Sequence, residues 1–138
     1  METYIRKINY YETDQMGCVH HSNYIRYFEE ARTWFMERLG YPYAQLEAEG
    51  VVSPVVSVGC RYRHPVHYGE TVAVRVKLTG MTRVRFTFSY EVADAYTGEL
   101  RAAGQSEHCY LDRQGRIVSM QKVNPAFYER FLAAVEAE

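Results

Sequence analysis

The chain has 138 residues, 47% of them hydrophobic and 14% aromatic, with 13 tyrosines and a formal charge of −1. That is ample packing material for one domain spanning residues 1–138, and the near-neutral charge argues against nucleic acid or an anionic membrane as a partner. No apolar run approaches the ~20 residues of a membrane span, nothing resembling a signal core follows Met1, and three scattered cysteines suit neither a disulfide framework nor a CxxC metal site, so a reducing cytoplasm is expected.

Residues 3–9 read as an opening strand with imperfect alternation. Ser22 or Asn23 offers an N-cap, and the pattern is then helical to Leu39. Tyr24, Phe28, Ala31 and Phe35 share one face, broadened by Tyr27, Trp34 and Leu39, while Arg26, Glu30, Thr33 and Glu37 fall opposite. So wide an apolar sector predicts a helix mostly surrounded by protein. Gly40 and Pro42 stop it, and a short helical turn covers Tyr43–Ala48.

The middle of the chain has period two. Val52, Pro54, Val56, Val58, Cys60 and Tyr62 alternate against Ser53, Ser57, Arg61 and Arg63. After a turn at Pro65 and Tyr68-Gly69, Val72 to Leu78 alternate again, then Val84 to Val92 against Arg83, Arg85, Thr87, Ser89 and Glu91. Thr97-Gly98 turns into a last long strand near 99–111, and Gln114-Gly115 makes a hairpin-like turn with a short strand after it. Asn124-Pro125 starts a terminal helix with its cap and N1 proline in place. Short turns between successive strands predict a mostly antiparallel sheet, and the long helix must cover its apolar face. The expectation is an α+β fold, a curved sheet wrapped around a long central helix.

The segment YYETDQMGCVHHSNYIRYFEEAR carries the chemistry. Asp14 lies seven residues before His21, in a glycine-containing loop that runs into the helix start. A helix N-terminus presents backbone N–H groups to a developing oxyanion, and a carboxylate beside it supplies attack or general base, so this spacing suits acyl transfer.

The same run resembles the active-site segment of the hotdog-fold acyl-CoA thioesterases of the hydroxybenzoyl-CoA thioesterase type. It matches their pattern T-D-x-x-G-x-V-x-H-x-N-Y, followed by an aromatic, Glu and Ala-Arg. Arg61-Tyr62, Pro65 and Tyr68-Gly69-Glu70 fit a second pattern, R-Y-x-x-P-x-x-Y-G-D/E. The likeness covers essentially the whole chain, the terminal helix being least diagnostic. It implies a hotdog fold and hydrolysis of an acyl-CoA to a carboxylate and free CoA, with no cofactor beyond the CoA of the substrate itself. It also implies a homotetramer built as a dimer of dimers, and it leaves an acyl carrier protein open as a further partner. Asp14 then takes the catalytic position, as nucleophile or as base for water. His21 takes the position whose backbone N–H faces the thioester oxygen, and Gly17 and Tyr24 line the substrate.

Other readings of these residues are weaker. Asp14 outside this pattern would be a turn carboxylate. His21, His64, His67 and His108 show no metal-ligand spacing, so no metal is expected. Cys60 reads as core, and residues 104–108 lack the second glycine of a nucleophile elbow. Arg61 with Arg63 and Arg83 with Arg85 suit solvated faces, but an arginine fork also fits the phosphates of CoA, so all four are kept as nucleotide candidates. A non-hydrolytic acyl-CoA or acyl-carrier-protein binding module is the alternative on the same fold. A hydratase is disfavoured because no D-x-N-P-x-H-type run is present.

Overall fold

The computed structural model describes residues 2–136. Strand β1 (Glu2–Lys7) leads through a 3-10 turn (Tyr10–Glu12) to the central helix α1 (Ser22–Arg38) and the short α2 (Tyr43–Ala48). Strands β2 (Val55–Tyr62), β3 (Thr71–Met81), β4 (Arg85–Asp94) and β5 (Leu100–Cys109) follow, then α3 (Met120–Val123) and α4 (Pro125–Ala133). The sheet is antiparallel throughout, in the order β1-β3-β4-β5-β2.

Strand alternation decides which side chains meet the helix. Val74 pairs with Val92, Val76 with Tyr90 and Leu78 with Phe88, and all six are buried. From α1, Tyr24, Tyr27, Phe28, Ala31 and Phe35 descend onto that face, spaced as the helical period requires. Phe28 stacks on Tyr90 with ring centroids 4.3 Å apart. Gly104 permits this approach, because a Cβ there would fall 2.6 Å from the Phe28 ring and 2.3 Å from the Gly59 carbonyl. At the far end, Phe127 and Phe131 of α4 close the core against Phe35, Phe86, Tyr41 and Tyr110. Asn124 caps α4 by accepting from the Phe127 N–H at 3.2 Å, with Pro125 in its first turn.

Several local expectations are corrected. Residues 52–54 do not extend β2: Val52 makes one isolated bridge to Leu111, and the strand starts at Val55. The short strand after Gly115 reduces to a Leu111–Ile117 bridge. Arg83 does not share a strand face with Arg85, since it sits in the turn before β4, where its carbonyl accepts from the Met120 N–H. Neither Ser22 nor Asn23 is the N-cap of α1. His21 holds that position, Ser22 is the first helical residue, and the His20 ring accepts from the Ser22 N–H at 3.3 Å. Glu30 keeps its place opposite the apolar face of α1 and reaches back to β1, where Tyr4 and Arg6 donate to it.

Strand β2 differs from the rest of the sheet. It pairs with β5 along one side and is a sheet edge on the other, and Val55, Val56, Val58 and Tyr62 are all exposed.

Candidate active site

The loop between the 3-10 turn and α1 is a tight hairpin. Thr13 bridges Val19, the Asp14 N–H donates to the Cys18 carbonyl at 2.8 Å, and the Gly17 N–H donates to the Asp14 carbonyl at 3.0 Å. The turn requires Gly17 at φ +77°, a left-handed conformation that costs any other residue. Cys18 and Val19 in turn pair with the β2–β3 connection, through His67 and the Val66 carbonyl.

Beneath the hairpin lies a buried ionic anchor. Arg6 forms ion pairs with Glu12 and with Glu30, the latter at 3.0 Å, and its guanidinium lies 4.8 Å from the Tyr27 ring. Burial alone would lower the Arg6 pKa, but the hydrogen bonds and charges of Glu30 and Glu12 outweigh it and raise it. The Glu12 carboxylate also accepts from the Asn9 N–H at 2.8 Å. Its carbonyl receives the His20 N–H at 2.9 Å and the Asn23 side-chain amide at 2.8 Å. One buried residue thereby joins the end of β1, the hairpin and the first turn of α1.

This anchoring leaves two groups uncommitted. Asp14 Oδ1 accepts from the N–H groups of Met16, at 2.9 Å, and Cys18, at 3.4 Å, which fixes the carboxylate. No donor among the described residues engages Oδ2. At the helix start, the Ser22 N–H is taken by the His20 ring, the Asn23 N–H by the His20 carbonyl at 2.9 Å and the Tyr24 N–H by the His21 carbonyl at 3.4 Å. The His21 N–H has no acceptor among the described residues. The Tyr62 hydroxyl donates to the His21 carbonyl at 3.0 Å and ties the end of β2 to the same turn.

The other sequence candidates are spread around this loop. Tyr24 is buried under Tyr62, their ring centroids 5.0 Å apart, so it supports the wall of the site from below. Burial pushes its hydroxyl up to about 12, which keeps it a neutral phenol. The His21 ring is exposed and lies against His20 at 4.1 Å. Arg61 and Arg63 are exposed at the end of β2, Arg61 on the sheet face away from α1, where it lines a depression of about 700 Å³. None of the Asp14 loop contributes to that depression. Arg85 is paired with Glu107 across the strands, and Arg83 is exposed in its turn. His67 pairs with Glu70 at 3.1 Å while His108 is buried under the helix, so the histidines do not converge.

Sequence reasoning missed Arg6, Glu12, Glu30 and Tyr62 as organisers of the loop. Signals were present: Glu12 adjoins the matched T-D pattern, Glu30 directly precedes its Ala-Arg, and Tyr62 belongs to the second pattern. Sequence reasoning also missed a chain of polar groups under α1. Arg32 donates to the Tyr90 hydroxyl at 3.4 Å, which lies 2.6 Å from Ser106 Oγ, which lies 2.8 Å from His108 Nε2. Burial first, then the Arg32 charge, push the His108 pKa down to about 4, so its ring is neutral at physiological pH. Ser106 and His108 are both buried beneath the helix, which closes them off as a nucleophilic pair.

A fixed carboxylate with one oxygen open lies in a hairpin that feeds an uncommitted N–H at a helix start, the kind of arrangement that acyl transfer uses. Comparison with known proteins gives the family: residues 8–134 match the model of the thioesterase-like superfamily, and the chain belongs to it. It is 39% identical to a "Putative esterase" of Aquifex aeolicus over 86% of this chain and 91% of that protein. It is 32% identical to "Putative acyl-CoA thioesterase YneP" of Bacillus subtilis over 91% of each chain. Among solved structures, the DHNA-CoA thioesterase of Staphylococcus aureus superposes with a TM-score of 0.91 at 29% identity, covering 95% of this chain and 88% of that one. The architecture is therefore the hotdog fold, and the chain is a thioester hydrolase of that family.

Proposed function

We propose that this protein hydrolyses an acyl-CoA to a carboxylate and free CoA, with Asp14 and the His21 N–H as its working parts. The observation that carries the reading is the pairing of an open Asp14 Oδ2 with an uncommitted His21 N–H on one anchored loop. The N–H receives the carbonyl oxygen as it gains charge. Asp14 Oδ2 either adds to the carbonyl carbon, expelling CoA thiolate and leaving an anhydride for water to cleave, or takes a proton from the water that adds. Both routes end with the C–S bond broken, a carboxylate released and the thiolate protonated. Gly17 keeps the hairpin tight, and Arg61, Arg63, Arg83 and Arg85 remain exposed or partly exposed candidates for the CoA phosphates.

The exposed valines on the open edge of β2 support assembly of two copies by antiparallel β2–β2 pairing, and two such dimers would complete a tetramer. Sedimentation at micromolar concentration tests this, and a persistent monomer would rule it out.

The decisive test uses a panel of acyl-CoA thioesters with thiol detection, on the parent and on Asp14→Asn. Turnover should fall at least about a hundredfold in the variant, as for loss of a positioned acid–base or nucleophilic group, with the melting temperature unchanged. His21→Ala retains its backbone N–H and should keep more activity than Asp14→Asn. No thiol release by the parent on any thioester would leave the non-hydrolytic binding module as the better reading.

A further inference from the structure

The start of α1 lacks the usual capping side chain. His21 holds the N-cap position with helical backbone angles (φ −54°, ψ −30°), and its side chain makes no capping hydrogen bond. That work falls to the residue before it. Nδ1 of the His20 ring accepts from the Ser22 N–H at 3.3 Å and lies 2.9 Å from Ser22 Oγ. An imidazole nitrogen accepts only while it carries no hydrogen, so the Ser22 contact requires the tautomer with its hydrogen on Nε2.

The bonds of His20 converge on one peptide unit. Its N–H donates to the Glu12 carbonyl at 2.9 Å, its carbonyl accepts from the Asn23 N–H at 2.9 Å, and its ring holds the Ser22 N–H. The His20 carbonyl and the His21 N–H belong to the same trans peptide, and in a planar trans unit they point in opposite directions. Turning that carbonyl into the helix towards Asn23 therefore aims the His21 N–H away from it. This is the N–H with no acceptor among the described residues. Bonds on both of its flanks set its direction. Any residue at position 20 could make the two backbone bonds, but only an acceptor side chain of the right reach makes the third.

His20 and Ser22 stand at positions that the shared loop pattern leaves free, so membership of the family does not explain them. The His20 ring also lies against the His21 ring, with centroids 4.1 Å and planes 32° apart. Both residues are exposed, so this contact removes little apolar surface from water. The hydrogen bond is the more specific restraint.

We propose that His20 is a positioning residue for the oxyanion donor: its Nδ1 holds the Ser22 N–H and thereby keeps the His21 N–H aimed at the thioester oxygen. The inference rests on the acyl-CoA reading above and adds to that site a residue that acts through its neighbour. An oxyanion donor is worth on the order of 10²–10³ in turnover, and misplacing it by about 1 Å forfeits much of that.

Three variants separate the acceptor from the ring. Asn sets its Oδ1 where His has Nδ1 and so keeps the acceptor without the ring, Phe keeps a ring without the acceptor, and Leu keeps neither. Thiol release from acyl-CoA thioesters gives kcat and KM for each, with folding followed by circular dichroism. His20→Phe and His20→Leu should each lower kcat at least about tenfold with KM within about twofold of the parent, because the lost restraint matters as the oxygen gains charge. His20→Asn should bring kcat back to within about threefold of the parent. Should Leu fail to fold, the contrast between Asn and Phe carries the test. Parental kcat in His20→Phe, an Asn variant no better than Phe, or a loss confined to KM would overturn the role of His20 alone. Impaired His20→Phe beside a fully active Asp14→Asn would uphold His20 and defeat the Asp14 part of the reading. A parent that releases no thiol from any thioester would overturn both, since its His21 N–H would have no oxyanion to meet.

Discussion

Arg6 and Arg32 are buried to nearly the same depth on opposite sides of the central helix, yet their surroundings differ. Arg6 is saturated: two carboxylates, the Lys7 carbonyl at 2.9 Å and the Tyr27 ring absorb its charge. Arg32 has two long contacts and a cavity in front of it. A completed ionic network locks chain segments together, here β1, the Asp14 hairpin and the start of α1. An incomplete one adds little to the fold.

This contrast is open to direct measurement. Replacing Arg6 with Met strands Glu12 as a buried, uncompensated carboxylate, and the loss of stability in urea denaturation should reach about 3–5 kcal/mol. A loss under about 1 kcal/mol would show that the network is not the anchor of the loop.

The Arg32 side has its own signature in acid. The His108 pKa is depressed to about 4 in the folded protein from an ordinary 6.5, so the unfolded chain binds the proton more readily. Stability should be level above about pH 6.5, fall as pH drops through the window to about 4, and lose roughly 3 kcal/mol in total. Urea midpoints across that window, compared with those of His108→Gln, isolate the histidine. Identical profiles would mean that His108 does not titrate as a buried neutral base.

The hairpin that the Arg6 network anchors offers a smaller effect. Gly17→Ala meets nothing within 4 Å, so its cost is backbone strain at φ +77°, about 1–2 kcal/mol, read as a lower melting temperature. Turnover should fall with it, because the same strain displaces Asp14. Smallest of all should be Arg32→Met. Removing an under-paired buried charge in favour of an apolar side chain of similar reach should change stability by less than about 1 kcal/mol. A loss comparable to that of Arg6→Met would erase the distinction between the two arginines.

Much of this architecture is legible in the residues. The run from Tyr24 to Phe35 announces α1, because burying one face of a 3.6-residue period leaves a pattern no strand shares. The alternation through Val72–Leu78 and Phe86–Val92 marks β3 and β4 for the same kind of reason. Asp14, Gly17 and His21 stand out because a tight turn before a helix leaves a local trace. Arg83 departs from the local pattern, and Glu30 has a tertiary partner that the pattern does not announce. Glu30 sits on the polar side of α1 but meets Arg6 of β1, and Arg83 keeps the strand alternation while the chain is already turning.

Sequence alone, then, determined the order of the main elements, the wide apolar face of α1 and the glycine turn that precedes it, since each depends on residues within a turn or a strand of one another. Only the tertiary structure decided that Arg6, Glu12 and Glu30 share one charge network, that β2 leaves its valines uncovered, and that Arg32 and His108 meet at a cavity. Those facts depend on residues up to 76 positions apart, as with Arg32 and His108, brought together when the sheet closes around the helix. No local periodicity encodes which distant charges will meet in a close network and which will be held by longer contacts.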